Sequence, residues 1–100
     1  MKPITCLEYF MEKAALDNRL FPTHVSLFTA IVHCSGNNED ERLFKVSRKR
    51  LMYFSRIKSI ATYHKCIGEL VAYDYIIYYP SFDPYRASRV MIKNPRFNMK

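Results

Sequence analysis

Ser47-Arg48-Lys49-Arg50-Leu51-Met52-Tyr53-Phe54-Ser55-Arg56-Ile57-Lys58-Ser59-Ile60-Ala61-Thr62-Tyr63-His64-Lys65-Cys66-Ile67-Gly68-Glu69-Leu70 is the stretch that decides the fold. Ser47 and Ser59 are good helix N-caps, because a serine oxygen accepts from the free N–H groups of a first turn. They predict a short helix, 48–55, with Leu51, Met52 and Phe54 turned inward, and a longer one, 60–73. In the longer helix Tyr63, Ile67, Leu70 and Val71 fall at i, i+4, i+7 and i+8, a stripe that needs a core, with Cys66 at its edge. Arg56-Ile57-Lys58 leaves room for only a turn between the two, so the pair reads as a helix-turn-helix.

Downstream, Tyr75-Ile76-Ile77-Tyr78-Tyr79 switches to β-branched and aromatic residues, and Ser88 to Ile92 follows in kind. A turn-rich Pro80 to Tyr85 segment joins them, so strands 75–79 and 88–92 are expected to pair as a hairpin behind the helices. Upstream, Leu43 to Val46 is a short β-prone piece preceded by a polar, acid-rich loop from Asn37 to Arg42. A helix over 24–34 is apolar around most of its circumference, with Thr23 as its expected cap and Ser35-Gly36 as its stop. A further helix over 3–20 has Pro3 in its first turn and Ile4, Leu7, Met11 and Ala14 on one face, with Phe10 beside them. The expected class is α+β, mainly α: a winged helix-turn-helix over residues 1–93 with an N-terminal helical extension, and a flexible tail at 94–100.

The composition narrows the chemistry. One hundred residues with 49% apolar content can close one core and little more. The net charge of +7 is unevenly placed. Residues 1–41 hold three basic and six acidic residues, a net of −3, and residues 42–100 a net of +10. Between Arg42 and Gly68 there is no acid at all, while Arg42, Lys45, Arg48, Lys49, Arg50, Arg56, Lys58 and Lys65 are all there. Such a window points to a polyanion. No apolar run approaches the roughly 20 residues of a membrane span, and no apolar leader block follows Met1, so neither membrane nor secretion is expected. Three widely spaced cysteines, Cys6, Cys34 and Cys66, suit free thiols in a reducing cytoplasm. His33-Cys34 and His64-Lys65-Cys66 lack metal-ligand spacing, and no phosphate loop or nucleophile elbow is present. No enzyme activity, cofactor, metal or small-molecule ligand is therefore expected.

A helix fits the DNA major groove when one stripe holds it to the core and the other face is small or polar. Helix 60–73 has that division, so Ala61, Thr62, His64 and Lys65 are the expected base contacts, with Gly68 further along the same face. Arg48, Lys49 and Arg50 open the preceding helix, where cations oppose the helix dipole unless an anion faces them. With Arg56, Lys58 and Ser59 they are the expected contacts to the DNA backbone. Arg86 and Arg89 in the hairpin wing are expected at the minor groove or a phosphate. Tyr63, Tyr75, Tyr78 and Tyr79 are better placed for packing than for base stacking.

Three segments, Phe21 to Ala30, Ser47 to Met52 and Ala61 to Leu70, together with Tyr75-Ile76 and Tyr79-Pro80-Ser81, resemble small winged-helix transcriptional regulators of Bacteroidetes genomes and mobile elements. The resemblance covers roughly residues 20–92. It implies a winged helix and double-stranded DNA as partner, and it names no operator. Such families usually carry Gly where Asp74 stands, and their turn between the two helices is one residue shorter. Helix 3–20 is a candidate homodimer contact. The alternative is a non-enzymatic interaction or architectural module in a mobile-element recombination or replication complex, since the same fold does both jobs.

Overall fold

The computed structural model describes residues 6–35, 43–81 and 87–93. Among these the chain forms α1 (Cys6–Ala15), α2 (Pro22–Cys34), β1 (Leu43–Val46), α3 (Arg48–Ser55), α4 (Ile60–Ala72), β2 (Ile76–Tyr79) and β3 (Ser88–Ile92). It is a small, mainly helical α+β domain. The strands make one antiparallel sheet in the order β1-β3-β2. The expected hairpin is therefore two-thirds of a sheet: β3 is central and pairs with β1 as well as β2. The expected cap at Gly36, the 37–42 loop, the hairpin tip at 82–86 and the tail at 94–100 lie outside the described residues.

The core lies between the helices and one face of the sheet. Leu27, Phe28 and Ile31 of α2, Leu51 of α3, Tyr63, Ile67 and Leu70 of α4, and Phe44, Val46, Ile76, Val90 and Ile92 of the strands fill it. α2 is central, as its apolar circumference predicts. α1 closes the core with Phe10, whose ring stacks on Phe28 at 3.8 Å and meets Tyr75 edge-on at 5.2 Å. Phe10 is thus the anchor of this helix, and Met11, one position round, is exposed.

Several boundaries differ from the sequence expectation, each for a local reason. The first helix stops at Ala15 and does not reach 20, and its expected residues 3–5 lie outside the described ones. Asp17 ends it: its carboxylate accepts from the Arg19 backbone N–H at 3.0 Å and from the guanidinium at 2.8 Å, a local alternative to the helix ladder. The second helix starts at Pro22, not 24, because Pro presets the first-turn φ. Thr23 is then inside the first turn and Phe21 is the N-cap.

Ser47 and Ser59 cap α3 and α4 as expected, accepting from Arg50 N at 3.4 Å and Thr62 N at 3.2 Å. α4 ends at Ala72 in a Schellman pattern: Asp74 N donates to Val71 O and Tyr75 N to Leu70 O. Asp74 takes the left-handed position with φ 72°, where glycine is usual. Tyr75 spends its N–H on that cap, which is why β2 begins at Ile76 and not at 75. The inward arc of α4 also shifts. At about 100° per residue, Cys66 lies closer to the Tyr63–Ile67–Leu70 centre than Val71 does. Cys66 is accordingly buried, and Val71 is 40% exposed. Phe54 is also exposed, against expectation, and lies beside His33 with ring centroids 4.5 Å apart.

Candidate nucleic-acid interface

α3 and α4 are joined by four residues, Arg56 to Ser59. The geometry of that junction is unusual at one residue. Arg56 sits in the left-handed region with φ 66° and carries an exposed side chain. Ile57 is buried and pins the turn, and its N–H donates to the Ser55 hydroxyl. Ser26 of α2 donates its hydroxyl to the Ser55 carbonyl, one of the carbonyls that a helix end leaves free. The turn is therefore held from inside, and its cations are left outside.

The outward residues of α4 are Ile60, Ala61, His64, Lys65 and Gly68, all exposed, with Thr62 half-buried. The four expected base contacts thus fall on the outer side of the helix, three fully and Thr62 in part. A Cβ built on Gly68 would meet nothing within 4 Å, so no close approach among the described residues requires the glycine. Arg48, Lys49 and Arg50 are exposed in the first turn of α3, and neither α3 nor α4 carries an acid in its first turn. Arg50 stays near its helix, with its guanidinium 5.6 Å from the Phe54 ring centroid. Arg56 and Lys58 flank a groove of about 660 Å³ shared with Met52, Tyr53, Phe54 and Ile57. Ser59 is exposed, with its oxygen committed to the cap.

The two wing arginines separate. Arg86 lies outside the described residues. Arg89 is on the outer face of the sheet as the second residue of the central strand β3, directly opposite Lys45 on β1 and Tyr79 on β2. Tyr53 is 74% exposed at the groove, while Tyr63 and Tyr75 are core residues. Among the described residues the buried Tyr63 hydroxyl makes no well-formed hydrogen bond; burial first, then the neighbouring Tyr78 hydroxyl, pushes it well above its usual range.

One buried polar group was not legible in the sequence. His24 is 1% exposed. Its Nδ1 accepts from Phe21 N–H at 2.8 Å, and its Nε2 lies 2.8 Å from Glu69 Oε1. Because Nδ1 is the acceptor, Nε2 carries the proton and donates to the carboxylate. The pair ties the start of α2 to the last turn of α4. The visible signal is a histidine three residues after a helix-opening Phe-Pro, the place where a capping-box side chain reaches back. Glu69 is 45 positions away, and nothing in the sequence joins the two. Cys66 lies near them, the three ligand atoms being within 4.8 Å of one another. A metal would need the Nε2 lone pair, and freeing it would put the proton on Nδ1 against the Phe21 N–H. The trio therefore reads as a structural tie.

A second polar tie holds α1. The Asp17 carboxylate accepts from Arg19 and from the Tyr75 hydroxyl, the latter at 2.7 Å. Those hydrogen bonds, Arg19 first, hold Asp17 well below the usual carboxylate range. Burial, then the bond to Asp17, pushes Tyr75 up to about 12. Among the described residues no helix is long and apolar enough to cross a membrane. Compared with protein-family models, curated proteins and solved structures, the chain matches none.

Proposed function

We propose that this chain is a winged-helix protein that binds double-stranded DNA in a sequence-specific way and acts as a transcriptional regulator. In this reading α3 and α4 are the helix-turn-helix. α4 lies in the major groove, with Ala61, Thr62, His64 and Lys65 at base edges. Arg48, Lys49, Arg50, Arg56, Lys58 and Ser59 meet phosphates on either side. The wing contact falls to Arg86, which lies outside the described residues.

The observation that carries this reading is a coincidence of charge and face. The acid-free window from Leu43 to Gly68 supplies both helix starts and the turn between them, and its cations are exposed there. α4, which presents Lys65 outward, buries its opposite side, with Tyr63, Ile67 and Leu70 each under 5% exposed. The element order α2-β1-α3-α4-β2-β3 and the sheet order β1-β3-β2 are compatible with a winged helix. The sequence resemblance supports the same reading.

Fluorescence anisotropy with a labelled duplex tests it. The five cations of the phosphate set give a log–log salt slope of about −4.5, since each contributes roughly −0.9. A slope near zero, or equal binding by Lys65→Ala and Arg48→Ala, overturns the assignment of this surface.

A further inference from the structure

The outer face of the sheet is a second surface with a chemistry of its own. Register places two rows across it. One is Lys45, Arg89 and Tyr79, and the other is Leu43, Met91 and Ile77. Phe44, Val46, Val90 and Ile92 alternate with them and face the core. Like charges directly opposite on neighbouring strands destabilise a sheet, and Lys45 and Arg89 are such a pair. Among the described residues no acid pairs with either. Beside them Leu43 is 39% exposed, and Met91 and Ile77 are half-buried. A phosphate backbone would engage the cations and leave the apolar row wet. The face fits an acidic partner that is apolar along one line.

The chain carries a surface with those properties. On α1 the residues Glu8, Met11, Glu12 and Ala15, with Leu16 just past the helix end, fall at i, i+3, i+4, i+7 and i+8. They form one outward stripe, opposite to the buried Phe10, and all five are exposed. Met11 is 47% and Leu16 87% exposed, so the stripe sets apolar side chains beside the Glu12 carboxylate. The dimensions agree. A ten-residue helix is about 15 Å long, and three strands span about 10 Å between their outer axes.

We propose that the outer sheet face of one copy receives α1 of a second copy, with Met11 over the Leu43–Met91–Ile77 row and Glu12, with Leu16 beside it, against the Lys45–Arg89–Tyr79 row. The two patches are different surfaces of one chain, so the contact is heterologous and propagates head to tail. It assigns Arg89 to self-association and not to DNA, and it stands whether or not the chain binds DNA.

Sedimentation equilibrium of the protein alone, up to about 1 mM, tests the proposal, because so small an interface belongs to the weak class. The expected result is an average mass that climbs past two copies without a plateau. Glu12→Lys alone and Arg89→Glu alone, each checked as folded by circular dichroism, are expected to stay monomeric. Mixing the two pairs Glu12 with Arg89 at one contact and the swapped charges at the next, so the mixture alternates and climbs past two copies again. Combining both changes in one chain restores assembly. A wild-type monomer at every concentration overturns the proposal and leaves an acidic partner of another sequence as the occupant. A plateau at two copies, or assembly unaffected by both variants, also overturns it.

Discussion

Arg56→Gly pulls stability and binding in opposite directions, and both effects follow from one residue. Arg56 takes φ 66° at the end of α3, with an exposed side chain. A non-glycine residue in the left-handed region costs roughly 1–2 kcal/mol. Glycine removes that cost and returns roughly 0.5–1 kcal/mol through the greater freedom of its unfolded chain. The net expectation is a gain of about 0.5–1 kcal/mol. For a domain of this size that raises the melting temperature by roughly 2–8 °C. The same change removes a cation from the proposed phosphate surface. The salt slope of duplex binding then loses about 0.9, with weaker affinity at low salt. Thermal unfolding and anisotropy on the same preparation measure both, and Arg56→Lys, expected to change neither, is the control. A lowered melting temperature refutes the backbone argument. A raised one with an unchanged salt slope refutes the placing of Arg56 against phosphate.

Gly68→Ala is expected to stabilise by about 1 kcal/mol, since the added methyl meets open space in a helix interior, and urea denaturation reads the shift. Tyr63→Phe removes a buried hydroxyl that makes no well-formed hydrogen bond among the described residues, so stability should hold or rise by up to about 1 kcal/mol; a loss above that means its approach to the Tyr78 hydroxyl is a working bond. Asp17 has a depressed folded value, so its contribution is complete above the ordinary carboxylate value of 3.8 and is lost as pH falls through the folded one. The melting temperature of the wild type should therefore drop more steeply below about pH 4 than that of Asp17→Asn, and parallel curves would count against the tie.

The sequence made the middle of the fold legible because the signals there are local. Ser47 and Ser59 are caps that need no distant partner, and helices 48–55 and 60–73 came within a residue of the observed ends. The strands were equally plain from β-branched and aromatic runs. What failed was set by competition or by distance. Asp17 draws its carboxylate bonds from Arg19 and Tyr75, and so ends a helix whose apolar spacing runs on. Tyr75 belongs to a helix cap although its side chain suits a strand. The pairing of β1 with β3 crosses more than forty residues, so the Lys45–Arg89 opposition could not be seen in advance. The same holds for His24 and Glu69. Of the candidate site, the exposure of His64, Lys65 and the basic start of α3 followed from helical spacing alone. The exposed Tyr53 and Phe54 beside the turn did not, because an apolar residue at the edge of a short helix looks like core in sequence.

The central claim is that the outward face of α4 reads duplex DNA. Selection of bound duplexes from a randomised pool, run in parallel with the wild type and with Lys65→Ala, tests it most directly. A defined motif should be enriched by the wild type, and the variant should lose preference at one position of that motif while keeping the rest. An unenriched pool, or the same motif from both proteins, would contradict the account.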